Sequence, residues 1–213
     1  MDLKREVDLR KEINDFIEEY RNVNNGIAVY NEFSLQHELG FFLRSRLKGE
    51  GYKVEFERNV SFFGIDERLT KHEIDISIYK KDASGNFTEK YAIELKYPRN
   101  GQYPESMYSC VKDIKFMEEL RKNGFNGTAV LTFVDGKKFY SGGHPKDIYR
   151  YFRDTTPENG SIKKPINGSI KKPTGCRKEY CYISGSYNVN WKEINADLRY
   201  YIIDKIVKAH SPE

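Results

Sequence analysis

The chain has 213 residues, of which 38% are hydrophobic and 32% are charged, and its formal net charge is +4 at pH 7. This length favours a single domain over residues 1–213. No apolar run is long enough to cross a bilayer, and residues 1–6 lack an apolar signal region, so we expect a cytoplasmic protein with no membrane partner. Three unevenly spaced cysteines argue against a disulfide framework or a zinc site. The mild positive charge permits nucleic-acid binding without requiring it.

The first part of the chain predicts two helices. Residues 3–20 carry apolar side chains at helical spacing, which favours a helix that covers the core or forms a dimer contact. A second helix is expected from Asn31, a good N-cap, to Lys48. Glu38 lies beside the apolar stripe of this helix. It is a candidate to reach a site on the buried side, and the alternative is an ordinary exposed glutamate.

The middle of the chain predicts the central sheet. Alternation over residues 52–60 favours a strand, and residues 73–97 read as a hairpin around a polar turn. A helix is expected over residues 105–122. Residues 127–135 form a continuous apolar run, which is typical of a strand buried on both faces after a parallel crossover. This order predicts an α/β domain with a mixed central sheet flanked by helices.

The last part of the chain contains a tandem repeat of the sequence NGSIKKP within residues 155–178, which we interpret as a flexible, lysine-rich insertion loop. A short helix over residues 145–153 precedes it. A hairpin around Gly185 and a closing helix over residues 196–209 follow it. The lysines of the repeat are weak candidates to contact phosphate, against the alternative of a surface loop with no role: Lys163, Lys164, Lys171 and Lys172.

The hairpin carries the most informative polar residues. Alternation places Asp75 on one face of its strand and Glu94 with Lys96 on one face of the next. If the turn is centred between Ser84 and Gly85, Asp75 lies opposite Glu94. Like charges directly opposite on a sheet are unfavourable, and a divalent cation such as Mg²⁺ would neutralise them. The alternative is a solvated face with ordinary surface charges.

Asp75 followed by Glu94-Leu95-Lys96, with a preceding helix that bears Glu38, resembles the PD-(D/E)XK nuclease superfamily. Ile74 stands where that family has a proline. The resemblance covers roughly residues 32–135. It implies a restriction endonuclease-like αβββαβ core, here with an added N-terminal helix and a C-terminal hairpin plus helix.

The resemblance also implies a Mg²⁺-dependent endonuclease, with Mn²⁺ as a substitute, that hydrolyses phosphodiester bonds in DNA, with restriction or defence among its candidate roles. Asp75, Glu94, Glu38 and the carbonyl of Leu95 would hold metal, and Lys96 would position or activate the attacking water. Just after the motif, Arg99 and Gln102 are weak candidates for phosphate contact. Cutting both strands of a duplex would favour a homodimer.

Two other functions stay open from the sequence. One is a catalytically inactive nucleic-acid-binding or interaction module on the same scaffold, since a fold does not fix a function. The other is an enzyme acting on small phosphate esters, although the chain has no glycine-rich phosphate-binding loop.

Overall fold

A six-stranded, mainly antiparallel sheet flanked by helices forms the centre of the fold. The computed structural model describes residues 6–22, 26–99, 101–142, 146–154, 163–175 and 178–204. The helices and strands, in chain order, are α1 (Leu9–Arg21), α2 (Glu32–Leu47), β1 (Lys53–Asn59), β2 (Glu73–Lys81), β3 (Phe87–Lys96), α3 (Tyr103–Lys122), β4 (Gly127–Val134), α4 (Lys137–Tyr140), α5 (Tyr149–Phe152), β5 (Ile166–Lys171), β6 (Tyr180–Tyr187), β7 (Lys192–Glu193) and β8 (Arg199–Ile203).

Side-chain caps fix where the first two helices begin. Asp8 precedes α1, and its carboxylate accepts a hydrogen bond from the amide of Lys11 at 3.0 Å. Asn31 precedes α2, and its side chain accepts from the amide of Ser34 at 2.7 Å while Ser34 returns the bond. These bonds satisfy amides that have no partner inside a helix. The predicted N-cap of α2 is therefore confirmed.

The strand order of the sheet is β1-β2-β3-β4-β8-β7. β3 and β4 are parallel, and every other neighbouring pair in this sheet is antiparallel. α3 makes the connection between β3 and β4, as a parallel pair requires. The predicted crossover and the predicted buried strand are both confirmed, since all of β4 after Gly127 is buried.

The predicted register of the central hairpin is confirmed from Ile76 to Lys80, and a shift between Lys80 and Lys81 pairs Lys81 with Phe87. Ile76 lies opposite Ile93 and Ile78 lies opposite Tyr91. The strand pairing ends at Ile76 and Ile93, and Asp75 and Glu94 each lie one residue beyond this last pair. The polar turn closes on Asp82, whose carboxylate accepts hydrogen bonds from two later amides of the turn at 2.9 Å.

Two hydrophobic clusters cover the two faces of the sheet. On one face, α1 and α2 pack against side chains of β2, β3 and β4 that include Ile76, Ile93 and Leu95. On the other face, α3 packs together with α4, α5 and a second, two-stranded sheet made by β5 and β6. Ile74 belongs to this second cluster. The sequence predicts it on the face of Ile76, so the alternation does not continue to the start of β2.

The C-terminal part differs from the predicted elements. The expected helix over residues 196–209 is wrong for the residues that the structure describes, because 199–203 form β8; residues 205–209 lie outside the described ranges. The expected hairpin around Gly185 is also wrong. Gly185 lies inside β6, which pairs with β5, while β7 pairs with β8. The run Tyr200-Tyr201-Ile202-Ile203 is rich in aromatic and β-branched residues, which fit a strand.

The second copy of the NGSIKKP repeat forms β5 rather than an irregular loop. Ile166 and Ile170 of this strand are buried, so the copy has a packing role. The first copy lies largely outside the described residues. The predicted helix over residues 145–153 is shorter in the structure, where α5 has four residues. Within the described ranges, no helix combines the length and the apolar character needed to cross a membrane.

Candidate functional site

Asp75 and Glu94 come together at the end of the central hairpin. The amide of Asp75 donates to Oε1 of Glu94 at 3.2 Å, and Oδ2 of Asp75 accepts from the amide of Leu95 at 2.7 Å. Glu94 is 0% exposed, so it is not an ordinary surface charge. The side-chain amide of Gln36 on α2 donates from Nε2 to the carbonyl of Asp75 at 2.8 Å, which connects this part of β2 to the helix.

Lys71 supplies the cation that the two carboxylates need. It lies four residues before Asp75, and its ammonium forms an ion pair with Oε2 of Glu94. The same ammonium lies 3.2 Å from Oδ1 of Asp113, a residue of α3 that is 1% exposed. Oδ2 of Asp113 is buried and has no hydrogen-bond partner. The site therefore contains a third carboxylate, and one of its oxygens makes no hydrogen bond.

Lys96 lies on the other side of Asp113. Its ammonium is 3.8 Å from Oδ2 of Asp113 and donates to Oε1 of Glu32 at 3.2 Å. Oε2 of Glu32 accepts from the amide of Tyr97 at 3.0 Å, so this carboxylate joins the first turn of α2 to the end of β3. We call Asp75, Glu94, Asp113, Lys71 and Lys96 the charged cluster.

The charged cluster has one more carboxyl group than it has ammonium groups. Burial raises the pKa of Asp75 to about 6, and burial together with the negative charge of Asp75 raises the pKa of Glu94 well above its ordinary value. Burial also raises the pKa of Asp113. Desolvation alone would lower the pKa of Lys71 and Lys96, but Asp113 and other nearby carboxylates outweigh it and raise both. Both lysines therefore stay charged at neutral pH.

Among the described residues, Glu38 forms no hydrogen bond or ion pair with the charged cluster. Its carboxylate lies 3.6 Å from Nδ1 of His37 on the same helix. It takes no part in the hydrogen bonds and ion pairs of the described residues around Asp75 and Glu94. Gln36 and Glu32 are the polar residues of α2 that reach this region. The predicted role of Glu38 thus has no support from these contacts.

The predicted phosphate ligands divide into two groups. Arg99 follows Lys96 by three residues. Its guanidinium donates to the carbonyl of Tyr30 at 2.8 Å and forms an ion pair with Asp135 at 3.1 Å. Gln102, three residues further on, is exposed. The lysines of the repeat belong to the β5 region instead. Two of them form ion pairs at 2.8 Å, Lys163 with Asp154 and Lys172 with Glu179, while Lys164 and Lys171 are exposed.

Three residues of this region were not singled out from the sequence: Lys71, Asp113 and Glu32. Asp113 carries a usable signal, because a charge three residues from Cys110 and four from Met117 lies on the buried side of an amphipathic helix. Lys71 lies in an irregular segment between Phe63 and β2, where no periodicity points to a partner. An acid in the first turn of a helix, such as Glu32, is usually explained by the helix dipole alone.

The ligand chemistry of the charged cluster fits a hard divalent cation, since carboxylate oxygens converge here and one of them is unpartnered. The side chains are not arranged as a coordination shell, however. In the part of the chain that the structure describes, no group of three or more His, Cys, Asp or Glu residues is arranged to hold a metal ion. The ammonium of Lys71 lies between Glu94 and Asp113 and offsets part of their negative charge.

These elements bring six polar side chains from five parts of the fold into one region: Glu32, Lys71, Asp75, Glu94, Lys96 and Asp113. The arrangement can bind cations through its carboxylates and anions through its two ammonium groups. Comparison of the chain with protein-family models, with curated proteins and with solved structures finds no match in any of the three.

Proposed function

We propose that the chain is a divalent-metal-dependent nuclease of PD-(D/E)XK type that hydrolyses phosphodiester bonds, with DNA as its substrate. The observation that carries the proposal is the meeting of Asp75 and Glu94 on adjacent strands. The charged side chain of Lys96 follows two residues after Glu94 on the same strand. The succession of helix, strand, hairpin, helix and strand from α2 to β4 supports the same proposal, since it is the order expected for a restriction endonuclease-like core.

Asp75 and Glu94 are the residues that would hold Mg²⁺ or Mn²⁺, with the carbonyl of Leu95 as a further ligand. When bound, the metal supplies a Lewis acid and lowers the pKa of a coordinated water. Asp113 has a buried oxygen that makes no hydrogen bond and lies 3.8 Å from the ammonium of Lys96, and it is a ligand candidate that the sequence motif does not contain.

Lys96 acts in this proposal as a fixed positive charge. Because its pKa is raised, it keeps its proton at neutral pH and cannot serve as a general base. Glu32 and Asp113 hold the ammonium in place, so it can donate to a water or to a phosphate oxygen and offset the negative charge of the transition state. The role of Lys96 is therefore positioning and charge stabilisation.

The test compares cleavage of plasmid, linear duplex and single-stranded DNA by wild type, Asp75→Asn and Lys96→Ala, with Mg²⁺, with Mn²⁺ and with a chelator. We expect Lys96→Ala to lower the rate by about 10²–10³-fold. Lys90→Ala is the matched control, because Lys90 lies on the same strand. Among the described residues, its ammonium donates a hydrogen bond only to the carbonyl of Asn123. Cleavage that persists unchanged in both Asp75→Asn and Lys96→Ala would refute the proposal.

One observation favours a second candidate, the inactive nucleic-acid-binding module. Lys71 already offsets part of the negative charge of Glu94 and Asp113, which is how a scaffold without metal would keep buried carboxylates stable. Calorimetry with Mg²⁺ and Mn²⁺ separates the two candidates. The nuclease should bind metal at a defined site that is lost in Asp75→Asn, whereas the module should bind DNA but show no such metal site.

A further inference from the structure

Two exposed aromatic side chains lie beside the charged cluster. Tyr30 is 63% exposed and Phe33 is 71% exposed, and they stand on either side of Glu32 at the beginning of α2. Glu32 in turn contacts Lys96. Tyr30 and Phe33 therefore present large ring surfaces to solvent near the candidate catalytic lysine, where they are available for contact with a ligand.

The groove next to Phe33 is lined by polar and apolar atoms in nearly equal measure. It lies between the start of α2 and the segment after β3, and its volume is 380 Å³, within the range of roughly 300–1,000 Å³ that is typical of ligand sites. Its lining combines polar, charged and apolar residues: Asn31, Glu32, Phe33, Tyr97, Pro98, Arg99, Gln102 and Ser106. Tyr30 lies just outside this lining. Arg99 also links the two sides of the groove, because its guanidinium donates to the carbonyl of Tyr30 and lies 5.2 Å from the ring centre of Tyr97.

A flat exposed ring beside hydrogen-bond donors matches the chemistry of a nucleotide. The base offers a π-face that can stack on Phe33 or Tyr30, and the phosphate and sugar offer acceptors to Arg99, Gln102 and Asn31. Glu32 and Arg99 both line the groove, whereas charged residues are depleted at the centre of protein–protein interfaces. Bases inside a duplex are stacked on each other and present no free face, so only an unpaired base can use such a platform.

We propose that Tyr30 and Phe33 form a stacking platform for an unpaired base, so that the preferred ligand is a single strand or a duplex with a single-stranded end or branch. This inference rests on the proposed function for its biological meaning, because it specifies the substrate class of that same site. Binding itself is independent of catalysis and can be measured without metal.

The experiment measures the affinity of fluorescein-labelled oligothymidine, and of a duplex of the same length, by fluorescence anisotropy in the presence of a chelator. We expect wild type to bind the single strand more tightly. Phe33→Ala should weaken single-strand binding by about 5- to 150-fold, the range that corresponds to the loss of one base–aromatic stack. It should leave the weaker duplex binding nearly unchanged. Phe33→Trp should restore single-strand affinity.

Phe41→Ala is the matched control. Phe41 is also a phenylalanine of α2 and is 66% exposed, but it lies two helical turns away from the groove. The proposal is overturned if Phe41→Ala weakens binding as much as Phe33→Ala does, if single strand and duplex lose affinity equally, or if wild type does not prefer the single strand. It is also overturned if Phe33→Ala changes self-association in sedimentation velocity and leaves oligonucleotide affinity unchanged, which would mark a protein interface.

The two proposals fail in distinguishable ways. If cleavage is independent of Lys96 while single-strand binding depends on Phe33, the nuclease assignment is wrong and the platform remains. If Lys96→Ala abolishes cleavage while Phe33→Ala has no effect on single-strand affinity, the platform is wrong and the nuclease assignment remains.

Discussion

Replacement of Lys71 by Met tests whether this lysine is the internal counter-ion of the charged cluster. The substitution keeps most of the aliphatic stem and removes the ammonium that contacts Glu94 and lies 3.2 Å from Asp113. Both carboxylate side chains are at most 2% exposed, so water cannot replace the lost charge. Breaking a buried ion pair by removing one partner costs about 3–5 kcal/mol.

The size of this loss should depend on pH. Burial raises the pKa of Glu94 and Asp113, and the loss of Lys71 raises both further. A carboxyl group whose pKa is raised in the folded state favours folding at pH values below its unfolded pKa, and that contribution disappears as the pH rises through its folded pKa. We therefore expect Lys71→Met to be least destabilised in acid and to lose stability relative to wild type as the pH increases.

Urea unfolding followed by circular dichroism measures the difference, with the denaturant slope checked for two-state behaviour. The control is Lys11→Met, which removes an exposed pair with Asp15 at 2.6 Å on α1 and should cost about 0.3–0.5 kcal/mol. If Lys71→Met loses less than about 1 kcal/mol, or no more than the control, the buried counter-ion argument fails. Under the proposed function, saturating Mg²⁺ should recover part of the loss, about 2.7 kcal/mol at a concentration 100 times the Kd.

Three further outcomes follow from other contacts. Glu118→Ala should lose about 3–5 kcal/mol in urea unfolding because it leaves three donors without an acceptor, whereas Tyr187→Phe, which removes one of those bonds at 3.0 Å, should lose about 1–2 kcal/mol. Burial raises the pKa of the Cys181 thiol to about 11. At pH 8, mass spectrometry should therefore find that Cys181 is alkylated roughly 100-fold more slowly in the folded protein than in the unfolded chain, and the rate should rise as the pH approaches 11. Equal rates in the folded and unfolded chains would show that the thiol is not buried. Gly40→Ala puts a Cβ into the ring of Phe56, by which β1 packs on α2, and should lower the free energy of unfolding by about 1–3 kcal/mol in thermal or urea unfolding. The control Gly49→Ala should lower it far less, because a Cβ at Gly49 meets nothing within 4 Å.

The sequence predicts the central part of the fold well because local signals there agree with each other. Asn31 is a strong cap, the alternation in β2 and β3 sets the register that pairs Ile76 with Ile93, and the apolar run of β4 has the composition of a buried parallel strand. Each of these signals lies within a few residues of the element that it predicts. The meeting of Asp75 and Glu94 follows from the same hairpin arithmetic.

The rest could not be predicted because it depends on contacts between distant parts of the chain. The C-terminal run Tyr200-Tyr201-Ile202-Ile203 is too short for its spacing to separate helix from strand, and pairing with β4 decides the outcome. Lys71 sits in an irregular segment, and its partner Asp113 is reached only through the α3 crossover. Glu38 and Glu32 are both acids of α2, and only the docking of the helix onto β3 shows which one meets Lys96.

The origin of the charged cluster in separate elements has a consequence for how the chain folds. The hairpin brings Asp75 next to Glu94, which is 19 residues away, whereas the ion pair between Lys71 and Asp113 joins residues 42 apart. Closing the longer loop costs more conformational entropy, so we expect the contact with α3 to form after the hairpin. We expect the acids to lose their water and to gain the full set of counter-ion contacts in that same step. A fragment that ends before α3 would therefore keep both hairpin carboxylates in water, and it would have neither the stability nor the binding properties of the assembled site.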